Sequence, residues 1–98
     1  MAKARQVPRP FTMHWGGGVI AEEATFTGPY NEPTIQLMEY TDGNAAGNWT
    51  IRFCSFGHNG QFQRSPLILD PEGIDSLREA LKQTPRLREI MKRLVAEE

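Results

Sequence analysis

Apolar and polar side chains alternate along three segments of the chain with the period of two that is typical of β-strands. The segments are "VIAEEATFT" (19–27), "TIQLMEY" (34–40) and "WTIRFCSF" (49–56). Two loops rich in Gly, Pro, Asn and Asp, "GPYNEP" and "TDGNAAGN", separate them. These features predict three antiparallel strands joined by short turns.

The same alternation predicts that the two faces of the sheet differ. One face is apolar and carries Ile35, Leu37, Trp49, Ile51 and Phe53. The other face is mixed and carries Gln36, Met38, Tyr40, Thr50, Arg52, Cys54 and Phe56. We expect helices to cover the apolar face and the mixed face to stay open.

A fourth strand is predicted from about Gln61 to Leu69, after a turn at Asn59 and Gly60. Asn-Gly is the strongest short hairpin signal because both residues tolerate the positive φ of a type I′ turn. Pro66 lies inside this strand and has no N–H for the ladder, so we expect an edge strand or a bulge.

Helical signals occupy the C-terminal third of the chain. Asp70 can cap a helix, Pro71 suits its first position, and Ile74, Leu77 and Leu81 form an apolar stripe. Pro85 breaks or kinks this helix and begins a second amphipathic segment. The chain is therefore predicted to be an α+β domain: a four-stranded antiparallel meander followed by a C-terminal helix or kinked helix pair packed on one face.

Composition and charge fit one globular domain with a distinct N-terminus. The chain has 98 residues, of which 39% are hydrophobic and 23% charged. Residues 1–12 contain Lys3, Arg5 and Arg9 and no acid, which indicates a flexible basic arm or an untethered terminus before a domain at 13–98. Without those three, eight basic and twelve acidic side chains remain, a net charge of −4. The strongly basic footprint of many nucleic-acid-binding domains is therefore missing.

The sequence offers little for catalysis, metal binding or secretion. His14, Cys54 and His58 match no zinc-site spacing, so we expect no metal and no cofactor. Cys54 and His58 lie four positions apart along a strand and its turn, too far to form a nucleophile–base pair, and we predict that the protein is not an enzyme. One cysteine, no membrane-length apolar run and no signal peptide predict a cytoplasmic location, at the nucleoid if the source is bacterial.

The run "IRFCSFGHNGQFQRSPLILDPEGIDSLREAL" resembles the C-terminal part of the positive cofactor four family of transcriptional coactivators, which belongs with the Whirly-like single-stranded-DNA-binding proteins. The similarity lies in a strand, a turn, a polar and basic strand ending in "PLILDPEG", and the amphipathic "IDSLREAL". It implies a homodimer whose curved sheets bind single-stranded nucleic acid, preceded by a basic arm that contains Lys3 and Arg5. The few lysines in the sheet and the segment after Pro85 depart from the family's pattern.

Single-stranded nucleic acid is held by cations that contact phosphates and by aromatic rings that stack on bases. The candidates in the strands and the hairpin are Arg52, Arg64, Tyr40, Phe62 and Gln63, and the arm adds Lys3 and Arg5. The alternative is that the rings pack in the core and the arginines pair with Glu39 and Glu22. We predict a single-stranded DNA- or RNA-binding protein, a transcription cofactor or DNA-maintenance regulator that acts as a homodimer.

Residues 85–96 support a competing function. Leu87, Ile90, Met91 and Leu94 fall on one helical face among basic residues, and such a helix docks in a groove or forms a dimer seam. Packing within the same chain is an equal alternative. The competing prediction is a protein-interaction or dimerisation module that does not bind nucleic acid, and salt-dependent affinity for an oligonucleotide distinguishes the two.

Overall fold

Five strands and two helices follow one another along the chain. The computed structural model describes residues 5–63 and 66–96. The strands are β1 (Arg9–Met13), β2 (Gly16–Thr25), β3 (Glu32–Tyr40), β4 (Trp49–Phe56) and β5 (Leu67–Leu69), and the helices are α1 (Pro71–Leu81) and α2 (Pro85–Val95). Each strand pairs antiparallel with the next in a single sheet of order β1-β2-β3-β4-β5. The predicted α+β class, antiparallel meander and C-terminal helix pair are confirmed.

The sheet has five strands rather than the predicted four because the sequence pattern did not reveal β1. Pro8 and Pro10 interrupt this segment, and proline is tolerated in strands mainly at a sheet edge. β1 is such an edge strand and pairs only with β2. The last part of the expected arm, from Arg9 onwards, therefore belongs to the sheet, and residues 1–4 lie outside the described residues.

The last predicted strand is shorter than expected. Only Leu67–Leu69 pairs with β4 as a ladder, and Phe62 forms an isolated bridge with Phe56. Pro66 precedes the ladder, where its missing N–H does no harm. The prediction of an edge strand in this region is confirmed, but its extent from Gln61 to Leu69 is wrong for the described residues.

The turn after β4 is a bulged hairpin loop. The Gly60 N–H donates to the Gly57 carbonyl at 2.8 Å, and the Gly57 N–H donates to the Gln61 carbonyl at 2.7 Å. His58 and Asn59 are therefore the central residues, and Gly60 follows them with φ +87°. This is the three-residue loop with a glycine bulge, so the predicted type I′ turn centred on Asn59 and Gly60 is wrong.

The mixed face of the sheet, not the apolar one, contains the most buried side chains. They are Ile20, Glu32, Thr34, Gln36, Met38, Tyr40 and Phe56, and the strand register places all of them on one face. Ile35, Leu37, Ile51 and Phe53 of the apolar face are only partly buried. The expectation of an open mixed face is therefore wrong.

The helices form where the sequence predicted them but do not cover the sheet. The Asp70 carboxylate accepts the Gly73 N–H at 2.7 Å and caps α1, as expected. The Thr84 hydroxyl does not cap α2 and donates to the Leu81 carbonyl instead. In the described part of the chain, the main helix contacts are α1 with β5 and α1 with α2, and neither helix has a buried residue. Neither is long and apolar enough to span a membrane.

Candidate nucleic-acid interface

The structure divides the predicted nucleic-acid-binding residues into two groups. Arg5, Arg52, Phe62 and Gln63 lie around Phe56, where β4 ends. Tyr40 lies at the opposite end of the β3–β4 pair, where β4 begins. Lys3 and Arg64 lie outside the described residues.

Tyr40 is a core residue. Its side chain is 3% exposed, and the Phe11 ring packs edge-on against it at a centroid distance of 5.2 Å. Its hydroxyl lies 3.2 Å from the Thr50 hydroxyl, which satisfies the buried phenol. The ring is thus engaged in packing, as the alternative interpretation of the aromatic residues anticipated.

Arg52 lies over the ring of Phe62. Its Nε donates to the Gln36 Oε1 at 2.6 Å, and its Cζ lies 4.7 Å from the Phe62 ring centroid. Within residues 5–63 and 66–96, its two terminal nitrogens donate to no oxygen and it forms no ion pair, while the Cys54 thiol lies close enough for Arg52 to act on its pKa. Phe62 is 40% exposed and packs edge-on against Phe56 at 5.4 Å. Arg52 is therefore anchored by one nitrogen, with its terminal nitrogens available to a ligand.

Two loops meet beside this pair. The Gln63 Oε1 accepts two hydrogen bonds. One comes from the Asn31 side-chain amide at 3.2 Å and the other from the Ser55 hydroxyl at 2.5 Å. The His58 Nε2 lies 2.8 Å from the Gly28 carbonyl oxygen. These bonds join the β2–β3 loop to the β4–β5 hairpin, although the two are about 30 residues apart in sequence.

Three exposed aromatic rings lie on these joined segments: Phe26 (59% exposed), Tyr30 (89%) and Phe62 (40%). Tyr30 directly precedes Asn31 and Phe62 directly precedes Gln63, the two residues that hydrogen-bond to each other. We call Phe26, Tyr30, Phe62 and Arg52 the loop surface. Phe26 and Tyr30 are not among the residues predicted from the sequence, although an aromatic residue inside a Gly/Pro/Asn-rich loop is a signal that could have found Tyr30.

Arg5 is held against the sheet. Its Nη2 donates to the Glu32 Oε1 at 2.7 Å, and its Cζ lies 3.7 Å from the Phe56 ring centroid. Its Nη1 is buried without a hydrogen bond, 3.8 Å from the Glu23 Oε1. In this arrangement Arg5 stabilises the mixed face and is paired with carboxylates, unlike Arg52.

Glu23 connects these residues into a polar network across four strands. Arg9 donates to both carboxylate oxygens, at 3.2 and 2.7 Å, and the Gln36 Nε2 donates to Oε2 at 2.7 Å. Burial alone would raise the pKa of Glu23, but the bonds from Arg9 and Gln36 and the charges of Arg9 and Arg5 together hold this pKa below its ordinary value. The carboxylate is therefore ionised and fully partnered at neutral pH.

The structure does not bring Cys54 and His58 together as a reactive pair. The Cys54 thiol donates to the Gln36 Oε1 at 3.6 Å, whereas His58 bonds to Gly28 on the neighbouring loop. Burial raises the pKa of the Cys54 thiol, so it is protonated at neutral pH. Among the described residues, no cluster of three or more His, Cys, Asp or Glu side chains is placed to hold a metal ion.

The predicted dimer residues lie on the exposed side of α2. Leu87, Ile90 and Leu94 are 49%, 65% and 60% exposed, and Met91 is partly buried. Leu77 of α1 is 42% exposed as well. Among the described residues, α2 therefore presents an apolar stripe without a partner, and α1 adds the exposed Leu77.

No family model, curated protein or solved structure matches this chain. The similarity to the positive cofactor four family therefore rests on the sequence pattern of strand, turn, strand and capped helix.

Proposed function

We propose that the protein binds single-stranded nucleic acid at the loop surface and acts as a homodimeric transcription cofactor or DNA-maintenance regulator without catalytic activity. The observation that carries this proposal is the presence of three exposed rings on two hydrogen-bonded loops beside an arginine that has no carboxylate partner among the described residues.

Stacking supplies the main attraction in this proposal. A base stacked on an aromatic side chain contributes about 1 to 3 kcal/mol, and every base has a flat face, so the interaction tolerates any sequence. Tyr30 and Phe62 project from two loops whose separation is set by the Asn31–Gln63 bond. In this proposal each ring offers one stacking position, and the Asn31–Gln63 bond holds the two loops together.

Charge makes a smaller contribution. Arg52 supplies one guanidinium for a phosphate, and the net charge of −4 over residues 11–98 opposes broad phosphate binding. For single strands the logarithm of the binding constant falls with the logarithm of salt with a slope of about −0.7 per phosphate contact. We expect a shallow slope, equivalent to about one or two contacts, rather than the steep slope of a basic domain.

The test is fluorescence anisotropy of labelled single- and double-stranded oligonucleotides at two salt concentrations. Tyr30→Ala and Phe62→Leu should each weaken single-strand binding about 5- to 150-fold, the equivalent of one lost stack. The matched control is Trp15→Leu, which removes a partly exposed ring from the β1–β2 turn. Equal affinity of the parent and both loop variants, or equal binding of duplex and single strand, would reject the loop surface.

The homodimer is supported by the exposed stripe of α2. An isolated helix of 11 residues is marginal in water, and most helical stability in proteins comes from packing an apolar face. A second copy that covers Leu87, Ile90 and Leu94 would supply this packing. The same stripe favours the second candidate function, an interaction module without nucleic-acid binding, which predicts no salt-dependent affinity for any oligonucleotide.

A further inference from the structure

Gln36 lies between Glu23 and Arg52 on the mixed face and hydrogen-bonds to both. It is fully buried, its Nε2 donates to the Glu23 carboxylate at 2.7 Å, and its Oε1 accepts the Arg52 Nε–H at 2.6 Å. Because a carboxylate only accepts and a guanidinium only donates, these two neighbours determine which way the amide points. The Gln36 oxygen is therefore directed at Arg52.

The three arginines described on the mixed face differ in how their charge is compensated. Arg5 pairs with Glu32 and Arg9 pairs with Glu23, in each case through a charge-assisted bond of 2.7 Å. Arg52 is bound by a neutral amide and, among the described residues, by no carboxylate. Gln36 therefore fixes the position of the Arg52 guanidinium without neutralising its positive charge.

Among residues 5–63 and 66–96, the groups around Arg52 leave this charge uncompensated. The Glu23 carboxylate, on the far side of Gln36, is engaged by Arg9. Cys54, beside Gln36, is a neutral thiol, because burial raises its pKa. The Phe62 ring lies against the guanidinium, with its centroid 4.7 Å from Cζ, and carries no compensating charge.

We infer that Gln36 is a positioning residue that makes Arg52 a preformed site for a phosphate oxyanion. One of the five guanidinium donors is used by Gln36, and the Nη1 and Nη2 groups remain to bind two oxygens of a phosphate. A carboxylate at position 36 would neutralise the guanidinium, and its second oxygen would face the Glu23 carboxylate, to which the Gln36 amide now donates. The inference rests on the proposed function for its natural ligand, a phosphodiester of single-stranded nucleic acid, and the same chemistry would accept another phosphate ester.

The test is an NMR titration with pyrophosphate that follows the arginine Nε–H resonances, together with oligonucleotide anisotropy on the same samples. In the parent, pyrophosphate should shift the Arg52 resonance and leave that of Arg78, an exposed arginine paired with Asp75, unchanged. Gln36→Glu, made in a Glu23→Gln background so that two carboxylates do not face each other, should weaken pyrophosphate binding at least about tenfold relative to Glu23→Gln alone, the loss of a charge-assisted contact. Its oligonucleotide salt slope should also become shallower by about one contact.

A pH series separates the lost charge from a general structural defect. Lowering the pH protonates the introduced carboxyl in Gln36→Glu, so the ratio of the parent's pyrophosphate affinity to the variant's should fall towards one. The ratio is compared at each pH because pyrophosphate itself gains protons over this range. Where Gln36→Glu does not fold, Arg52→Lys serves as the second variant. Lysine keeps the positive charge but lacks the planar guanidinium that can bind two oxygens at once. The Arg52→Lys protein should therefore also bind pyrophosphate at least about tenfold more weakly.

The outcomes distinguish the two proposals. If oligonucleotides bind but pyrophosphate does not shift Arg52, or Gln36→Glu binds pyrophosphate like the parent at every pH, the inference is wrong and the function stands. If pyrophosphate shifts Arg52 but no oligonucleotide binds, the oxyanion site stands and the nucleic-acid function is wrong. Equal shifts of Arg52 and Arg78 would reject the site as non-specific ion binding.

Discussion

At the scale of single residues, the mixed face of the sheet is unusual because several of its buried side chains are polar, where most sheets have apolar ones. Glu32, Thr34 and Gln36 are all nearly inaccessible, and their polar groups are hydrogen-bonded to neighbouring strands or to arginines. A buried carboxylate is costly unless it is paired, and Glu23 accepts three hydrogen bonds, two from Arg9 and one from Gln36. These pairs hold β1 to β3 in one register and support the position of Arg52.

Glu23→Gln tests this pairing through its pH dependence. The pKa of Glu23 is lowered in the folded protein, so its contribution to stability is present above its ordinary value of 4.5 and is lost as the pH falls through the folded value. At neutral pH the variant should be less stable by about 1 to 3 kcal/mol. The difference in unfolding free energy between parent and variant should shrink below pH 4.5.

Urea unfolding at several pH values measures this difference, and Glu22→Gln is the matched control because Glu22 is exposed. The control should follow the parent at all pH values. A parent–variant gap that stays constant down to strongly acidic pH would show that the Glu23 pairs do not stabilise the fold.

At the scale of elements, the triple glycine illustrates how a strand depends on its neighbours. Residues 16–18 are the first residues of β2, and Gly18 pairs with both Phe11 and Tyr40. A Cβ at Gly18 would collide with the Glu39 carbonyl and the Tyr40 Cα. The glycine is therefore required for close approach of strands, and it leaves room for the Phe11–Tyr40 ring contact.

Gly18→Ala should destabilise the protein by about 1 to 3 kcal/mol, because backbone atoms on β3 must move to admit a methyl group. Thermal and urea unfolding measure the loss. The matched control is Gly57→Ala, whose nearest contact would be the end of the Asn59 side chain at 3.0 Å, which can rotate away. A Gly18→Ala protein as stable as the control would mean that β2 and β3 are not packed this closely.

At the scale of the whole molecule, apolar surface remains uncovered. Ile35, Leu37, Ile51 and Phe53 are partly exposed on the apolar face, and α2 exposes the apolar side chains of its stripe, because the main helix contacts among the described residues are α1 with β5 and α1 with α2. Large patches of exposed apolar surface are typical of interaction sites. This is the observation that supports a shared core between two copies.

Leu87→Asp together with Leu94→Asp tests the dimer seam. Introducing two carboxylates into a buried apolar interface should give a monomer or an unfolded chain, because unpaired charges resist burial. Sedimentation velocity and circular dichroism measure the two outcomes, with Arg93→Asp on the polar side of α2 as the control. A folded dimer with unchanged sedimentation in the Leu87→Asp, Leu94→Asp protein would reject the seam.

Much of the fold could be predicted because it depends on local preferences. Period-two alternation identified β2, β3 and β4, and Asp70 with Pro71 identified the start of α1. Pro85 separated the two helices as expected. In each case the signal is carried by residues a few positions apart, through strand alternation, a capping bond or the fixed φ of proline.

The candidate site was predicted only in part. The sequence alone determined that Gln36 and Arg52 share one face, and that Phe62 follows the hairpin. Only the tertiary structure decided that this face is buried, that Gln36 bonds to Arg52 across 16 residues, and that Tyr30 and Phe62 lie on loops joined across 32 residues by Asn31 and Gln63. Such contacts depend on strand pairing and on which face is covered, because neither is set by the preferences of neighbouring residues.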